Sequence, residues 1–144
     1  MLFRSCGMGG PLMVRILQTS YAVWQSLKFV VLQPQSDAGA LRRYLYEHGW
    51  HIEDERLVID DGRLYELMRA VPGQAGALPD WIYDIGPVNW QRRDPLLSRK
   101  IDILMETKGH ILEGLKKSRK DVHERMEKIE SELRFWRELK WQLQ

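Results

Sequence analysis

The sequence has little cysteine and no long apolar run, and each of these absences excludes a class of protein. Cys6 is the one cysteine among 144 residues, so no intrachain disulfide can form, as is typical of proteins of the reducing cytosol. No apolar stretch approaches the roughly 18 residues that a transmembrane helix needs, and the N-terminus lacks the apolar segment of a signal peptide. We therefore expect a cytoplasmic protein that does not associate with a membrane.

Recognisable catalytic and metal-binding spacings are also missing. The four histidines fall at no metal-ligand interval, and a single cysteine argues against a zinc site, so no metal is predicted. The six tryptophans are predicted to pack in the protein rather than to stack on nucleic-acid bases. Several acidic residues form no acid–base pair and are interpreted as charges of helix surfaces and turns: Glu47, Glu53, Asp54, Glu55, Asp60 and Asp61.

The net charge of +2 is too small to indicate nucleic-acid binding, but the charge is unevenly distributed. Residues 1–91 carry 8 Lys and Arg against 10 Asp and Glu, a net −2. The remaining residues, 92–144, carry 14 against 10, a net +4. A solvated helix surface and an RNA-binding surface explain this excess equally well.

The first half of the chain has the pattern of an α/β protein. A glycine loop at Gly7–Gly10 precedes a helical pattern, and the apolar run 27–32 then predicts a buried strand. Ser36 and Asp37 offer a cap for a second helix, which Gly49 closes. Runs 50–59 and 64–71 flank an Asp-Gly turn and predict a hairpin. Residues 1–72 are thus expected to be the closing half of a doubly wound sheet with an antiparallel edge.

The second half is predicted to be helical after a linker at 73–94. Apolar residues recur at steps of three and four from Pro95 onward, which favours two helices, 95–117 and 120–142, paired as a coiled-coil hairpin over 95–144. Ser118 would cap the second helix, and Leu104 would contact Ile129 or Leu133. One continuous helix is the alternative, because no glycine or proline marks the turn. The predicted stripes are Leu97, Ile101, Leu104, Ile111 and Leu115, then Val122, Met126, Ile129, Leu133 and Trp136.

A series of short motifs carries a family resemblance through their order and spacing. Cys6-Gly7-Met8-Gly9-Gly10 is followed by a strand ending in Leu32-Gln33-Pro34. The later motifs are Leu41-Arg42, Gly49-Trp50-His51-Ile52 with Glu55, Asp61-Gly62-Arg63-Leu64-Tyr65-Glu66, Ile85-Gly86-Pro87 and Asp94-Pro95-Leu96. Over roughly residues 6–117 this series resembles the bacterial tRNA (adenine-22-N1)-methyltransferases. Cys6, Gln35 and Arg63 depart from that family's usual alanine, asparagine and lysine.

The resemblance implies a fold, a methyl donor and a site. The fold would be a partial Rossmann-like class I methyltransferase sheet followed by the helical domain, and the donor would be S-adenosyl-L-methionine. The residues implied for catalysis are Gly7, Met8, Gln33, Pro34 and Gln35, and those implied for donor binding are Gly7, Gly9 and Gly10. The alternative for the glycines is that they only permit a tight turn from strand to helix.

The family's donor-binding strands precede its glycine loop, so we expect this chain to lack the donor-binding half and to be inactive alone. The alternative function is a non-catalytic RNA-binding or coiled-coil fragment. An exposed half-sheet or coiled coil would favour self-association. The resemblance names tRNA as the partner, with phosphate contacts expected from Arg92, Arg93, Arg99, Lys100, Lys116, Lys117, Arg119 and Lys120.

Overall fold

The computed structural model describes residues 8–144, and the chain divides into two compact units, residues 1–97 and 98–144. The described part of the first unit contains three strands, β1 to β3, and five helices, α1 to α5. Two long helices, α6 and α7, follow. The elements are α1 Gly10–Thr19, α2 Tyr21–Trp24, β1 Val30–Leu32, α3 Ala38–Glu47, β2 Trp50–Asp60, β3 Arg63–Pro72, α4 Asp80–Ile85, α5 Pro87–Gln91, α6 Leu97–Lys116 and α7 His123–Gln142.

The three strands form one sheet in the order β1-β3-β2, with β3 antiparallel to both neighbours. Asp61 and Gly62 join β2 to β3 with φ angles of 48° and 72°, the two positive values that a type I′ turn requires. The predicted hairpin is confirmed. The sequence predicts that the antiparallel strand lies at the edge of the sheet, which is wrong. The antiparallel strand is β3, and it lies between β1 and β2 because it pairs with one of them along each side.

A β-bulge at Glu53 changes which face of β2 is buried. Ile52 pairs with Ala70 and Asp54 with Arg69, so Glu53 is the extra residue on its strand. Before the bulge Trp50 and Ile52 face the core, and after it Glu55 and Leu57 do. The residues of β2 that face the core therefore have even numbers before the bulge and odd numbers after it.

The core of the first unit lies between the sheet, α1 and α3. The α3 helix starts as predicted: the Asp37 side chain accepts a hydrogen bond from the Ala40 N–H, and Leu41 and Leu45 are fully buried. Trp24 and Trp50 fill the centre with their ring centroids 5.0 Å apart. Burial of such large rings supplies much of the stabilisation of a small unit.

Residues 73–94, expected as a linker, contain α4 and α5. The α4 helix contacts α3, and α5 contacts β2, so both short helices belong to the first unit. Gly39 lies where α3 meets α4: a Cβ there would stand 2.4 Å from the Asp84 carboxylate and 3.3 Å from its Cα. The turn predicted around Gly86 is the junction between the two helices.

The second unit consists of the two long helices, which are separated by residues 117–122. Ion pairs join Lys108 to Glu132 and Asp102 to Lys140, an order that antiparallel neighbours produce. The prediction that Ser118 caps α7 is wrong, because the helix begins at His123, after Val122. The Ser118 hydroxyl instead accepts a hydrogen bond from the Lys120 N–H.

The apolar cluster between α6 and α7 differs in part from the predicted stripes. On α7 it contains Met126, Ile129 and Leu133, as predicted. On α6 it contains Met105, Leu112 and Leu115, whereas Ile111 is 41% exposed. Leu104 is partly buried, and its contact with Ile129 or Leu133 stays a prediction. Among residues 8–144, no helix has both the length and the apolar character needed to cross a bilayer.

Candidate functional site

The glycine loop and the loop after β1 lie side by side. The Gln35 N–H donates to the Met8 carbonyl at 2.9 Å, and the Gly10 N–H donates to the Ser36 carbonyl at 2.6 Å. The second loop leaves the carboxyl end of β1, which is where open α/β sheets place their ligand sites. The structure therefore brings together two segments that the sequence connects only through the family resemblance.

Gly9 and Gly10 are glycines because the two loops meet so closely. A Cβ on Gly9 would stand 2.4 Å from the Ser36 hydroxyl oxygen, and one on Gly10 would stand 2.1 Å from the Asp37 carbonyl oxygen. The second clash is with backbone, which cannot rotate away. Packing alone explains Gly10, and donor binding by either glycine stays a prediction.

The predicted catalytic residues differ in exposure. Pro34 is buried, Met8 and Gln33 are partly buried, and Gln35 is exposed. The Met8 carbonyl already accepts the Gln35 backbone N–H, which leaves one lone pair for a ligand. Gly7, named for both catalysis and donor binding, lies outside the described residues, as does Cys6.

A second polar cluster, which the sequence did not reveal, is buried between α3, the β2–β3 hairpin and α5. Arg42 has no exposed surface, and Glu55 is 2% exposed. The Arg42 Nε donates to Glu55 Oε2 at 3.0 Å, one terminal nitrogen donates to Glu66 at 2.6 Å, and the other donates to the Tyr83 carbonyl at 2.8 Å. The interpretation of Glu55 as a surface charge is wrong.

Backbone donors complete the hydrogen bonding of Glu55. Its Oε1 accepts the N–H groups of Val88 and Asn89, at 2.8 and 3.1 Å, in the first turn of α5. Gly86, with φ 103°, makes room for this carboxylate, because a Cβ there would stand 2.4 Å from Glu55 Oε1. The Gly-Pro motif thus places a glycine against the buried carboxylate and a proline in the first turn of α5.

Electrostatics keep Arg42 charged inside the protein. Burial alone would lower the pKa of Arg42, but the charges of Glu66 and Glu55 and their hydrogen bonds outweigh it and raise that pKa above its ordinary value. Its hydrogen bonds join α3, the β2–β3 hairpin, α4 and α5. Among residues 8–144, no group of three or more metal-ligating side chains is assembled.

The residues predicted to contact tRNA differ in their availability. Arg92 bonds to Asp54 at 2.6 Å and to the Glu55 carbonyl at 3.2 Å, so its guanidinium holds α5 to β2. Lys100 is 7% exposed, which leaves little of it for a phosphate contact. Arg93 and Arg99 are exposed.

The turn between α6 and α7 presents four exposed basic side chains. Lys116 is ion-paired with Glu113 at 2.8 Å, and this hydrogen bond and charge raise the pKa of Lys116. The members of this basic tip are Lys116, Lys117, Arg119 and Lys120.

Solved structures define the fold class. In a Bacillus subtilis tRNA methyltransferase, TrmK, the match covers 95% of this chain and 62% of that one, with 20% identity and a TM-score of 0.77. A Streptococcus pneumoniae protein in complex with S-adenosyl-L-methionine gives 23% identity and a TM-score of 0.77, over 95% and 58% of the two chains. TrmK from M. capricolum, solved with S-adenosyl-homocysteine, gives 14% identity and a TM-score of 0.75, over 99% of this chain and 61% of that one. Over the matched residues, this chain shares the fold of these Rossmann-like methyltransferase neighbours.

Sequence comparison defines the family. The model of the tRNA (adenine(22)-N(1))-methyltransferases, TrmK, matches residues 3–138. The chain belongs to this family. The Bacillus subtilis strain 168 enzyme of that name is 33% identical over 76 residues, which are 53% of this chain and 32% of that protein. This chain thus spans about one third of that relative in sequence and about 60% of the solved structures.

Proposed function

We propose that this chain acts as part of an S-adenosyl-L-methionine-dependent tRNA methyltransferase that modifies N1 of adenine 22. The proposal rests on the family match over residues 3–138. The contact between the glycine loop and the loop after β1, at the carboxyl end of that strand, supports it. We propose a cytoplasmic location on the same basis.

The proposed reaction does not need a catalytic base. N1 of adenine carries a lone pair at neutral pH, so no strong base has to remove a proton before the methyl group is transferred. The site has to expose the Watson–Crick edge, orient it, and accept a hydrogen bond from the N6 amine. The remaining lone pair of the Met8 carbonyl and the exposed amide of Gln35 are suitable acceptors on neighbouring loops.

The two loops fit S-adenosyl-L-methionine only in part. Asp37 is the one carboxylate on residues 8–10 and 33–37, and its side chain is used to cap α3. No other acidic group on these segments is available for the ribose hydroxyls of the donor. We therefore propose that Gly9 and Gly10 contact the donor through their backbone, that Gln35 lies on the acceptor side, and that residues outside these two segments hold the donor's ribose.

We also propose that α6 and α7 form an antiparallel coiled-coil hairpin whose basic tip contacts tRNA phosphates. The exposure of Lys117, Arg119 and Lys120 supports this role. Replacing all four tip residues with alanine should weaken tRNA binding and reduce its salt dependence, because fewer counterions are then released on binding. If parent and variant bind tRNA with equal affinity and equal salt dependence, the basic tip does not contact tRNA and is only a solvated turn. Self-association stays a prediction, tested by light scattering of the purified chain.

The role of the Gln35 loop is tested by methyl transfer to unmodified tRNA. The chain is expressed with any coding sequence that continues in frame upstream of Met1. Gln35→Ala should lower the rate about 10-fold, the cost of one lost hydrogen bond in the transition state. Gln91→Ala, at an exposed glutamine that ends α5, is the matched control and should leave the rate unchanged. Equal rates for both variants would remove Gln35 from the proposed site.

A further inference from the structure

Asp37 has an unusual backbone conformation for a residue with a side chain. Its φ and ψ are 46° and 53°, in the left-handed region, and among residues 8–144 only Asp61 and Arg93 share a positive φ without being glycine. Asp61 lies in the hairpin turn, which requires that conformation, and Arg93 follows α5. Among the described residues, Asp37 is therefore the one such residue at the candidate site, where the loop after β1 meets the glycine loop.

Capping of α3 does not by itself explain the conformation of Asp37. Its carboxylate accepts the Ala40 N–H at 3.2 Å, but a residue that caps the start of a helix usually has an extended backbone. A left-handed conformation is uncommon for residues with a Cβ and persists where surrounding contacts fix it. The glycine loop provides such contacts.

The φ angle of Asp37 sets the direction of the Ser36 carbonyl. Rotation about this bond turns the peptide group between the two residues relative to α3, and an ordinary φ near −60° would turn it by about 100°. The observed φ points the Ser36 carbonyl at Gly10, whose N–H donates to it at 2.6 Å. The Asp37 carbonyl lies over the same glycine, because a Cβ there would stand 2.1 Å from its oxygen. The left-handed residue thus joins α3 to the glycine loop.

We propose that Asp37 is a positioning residue for methyl transfer, which holds the glycine loop and Gln35 in register through its left-handed backbone. The inference rests on the proposed function, in which the glycine loop faces the donor and Gln35 faces the acceptor. Gln35 precedes Asp37 by two residues and donates its N–H to the Met8 carbonyl at 2.9 Å, so a turn of the Ser36 peptide moves both loops. Methyl transfer depends on this alignment, because a misplacement of about 1 Å can lower a rate 100-fold.

Three substitutions at Asp37 separate the backbone conformation from the helix cap. Threonine and glycine cap helices about equally well, but glycine adopts the left-handed conformation freely, whereas a β-branched residue is an outlier there. Asp37→Thr should therefore lower kcat about 5- to 30-fold, the factor by which this conformation is disfavoured for a residue with a Cβ. Asp37→Gly should retain most of the parent's kcat. Asp37→Asn should also retain it, because asparagine both caps a helix and tolerates the left-handed region.

The assay is methyl transfer to an unmodified tRNA with adenine at position 22, by the chain expressed with any coding sequence that continues in frame upstream of Met1. The KM values for tRNA and for the donor should stay close to those of the parent, because each loop keeps its own binding groups. Asp61→Thr is the matched control, since Asp61 has the same residue type and a φ of 48° but lies in the exposed turn of the hairpin. This control should destabilise the protein and leave kcat unchanged.

Two further readouts separate positioning from a loss of folded protein. If Asp37 orients the Gln35 amide, Asp37→Thr should lower kcat much less in a protein that already carries Gln35→Ala. A loss of folded protein would instead lower the rate by the same factor in both backgrounds. Amide hydrogen exchange of the 144-residue chain needs no activity: the Gly10 N–H should lose protection in Asp37→Thr and keep it in Asp37→Gly, while the interior amides of α3 stay protected in both.

The outcomes distinguish this inference from the proposed function. If Asp37→Thr methylates tRNA as fast as the parent, or if Asp37→Gly is as slow as Asp37→Thr, the left-handed backbone has no positioning role and the inference is wrong, while the proposed function stands. An equal loss in the presence and absence of the Gln35 side chain would also overturn it. If the parent protein methylates no tRNA, the proposed function is wrong and the positioning role fails with it, although the protection of the Gly10 N–H still shows whether Asp37 joins the two loops.

Discussion

Replacing Arg42 with methionine should strongly destabilise the first unit, because the side chain connects three elements from inside the core. Arg42 joins α3 to Glu55 of β2, Glu66 of β3 and the Tyr83 carbonyl of α4. Methionine is also unbranched and fills part of the same space, but it has neither charge nor donors. The variant therefore leaves two carboxylates and a carbonyl without this partner in a buried site.

The expected loss is about 3–5 kcal/mol, the usual cost of removing one partner of a buried ion pair. This is a large part of the roughly 5–15 kcal/mol by which a domain is stable. The assay is urea unfolding followed by the fluorescence of the buried Trp24 and Trp50. With an m value of about 1–3 kcal/mol per molar, a loss of 4 kcal/mol lowers the midpoint by roughly 1.3–4 M.

Arg43 provides the control one residue further along α3. It pairs with Asp80 at 3.0 Å, but the two side chains are 43% and 87% exposed. An exposed pair of this kind contributes less than about 1 kcal/mol, so Arg43→Met should shift the midpoint far less. Equal shifts for the two variants would refute the reasoning, since burial of the Arg42 cluster would then have no energetic consequence.

Three other predictions follow from the same structure. Gly86→Ala should lower the free energy of unfolding by about 1–3 kcal/mol, because Gly86 has a positive φ and a Cβ there would meet Glu55. Gly76→Ala, at a position surrounded by open space, should leave the free energy of unfolding nearly unchanged, so equal unfolding midpoints for the two variants would contradict this prediction. Partial burial acts to raise the pKa of Asp54, but Arg92 outweighs it and lowers that pKa. Arg92→Ala should therefore raise the Asp54 pKa in an NMR titration and lower the stability at neutral pH. The part of this loss that comes from Asp54 disappears as acid protonates Asp54 in both proteins, whereas the lost hydrogen bond to the Glu55 carbonyl remains. The isolated chain should bind no S-adenosyl-L-methionine in calorimetry, and a micromolar dissociation constant would contradict this.

Local sequence signals predicted the elements whose geometry depends on a few adjacent residues. The Asp61-Gly62 turn needs two positive φ angles, and the Asp37 cap needs one short acceptor, so both can be read from the chain. The bulge at Glu53 could not, because its position is decided by how β2 pairs with β3. Strict alternation would have put Glu55 on the exposed face, which is why its burial was missed.

The helical half illustrates a second limit. Its α6 sequence has apolar residues side by side at 103–105 and again at 111–112, so more than one stripe satisfies the same spacing. Contact with α7 selects Met105 and Leu112, whereas Ile111 remains exposed. Periodicity alone predicts that a helix is amphipathic, and the partner decides which side is buried.

The candidate site was predicted in its parts but not in its packing. The order of the glycine loop and the Gln-Pro-Gln segment led to the family, and the two loops do meet. Gly10 cannot carry a side chain because its Cβ would clash with the backbone of Asp37. This contact joins residues 27 positions apart, so the sequence alone does not reveal it. The network around Arg42 also depends on contacts between distant positions. Its members Arg42, Glu55, Glu66 and Gly86 all belong to motifs that carried the resemblance, but the sequence does not show that they meet.

We propose that this chain serves methyl transfer to N1 of adenine 22. The most direct measurement compares two unmodified tRNA transcripts that differ at position 22, adenine in one and guanine in the other. They are incubated with S-adenosyl-L-methionine and the protein expressed with any in-frame upstream sequence, and the nucleosides are then identified by mass spectrometry. We expect 1-methyladenosine at position 22 of the first transcript and no methylation of the second. Methylation of both transcripts at another position, or of neither, would contradict the claim.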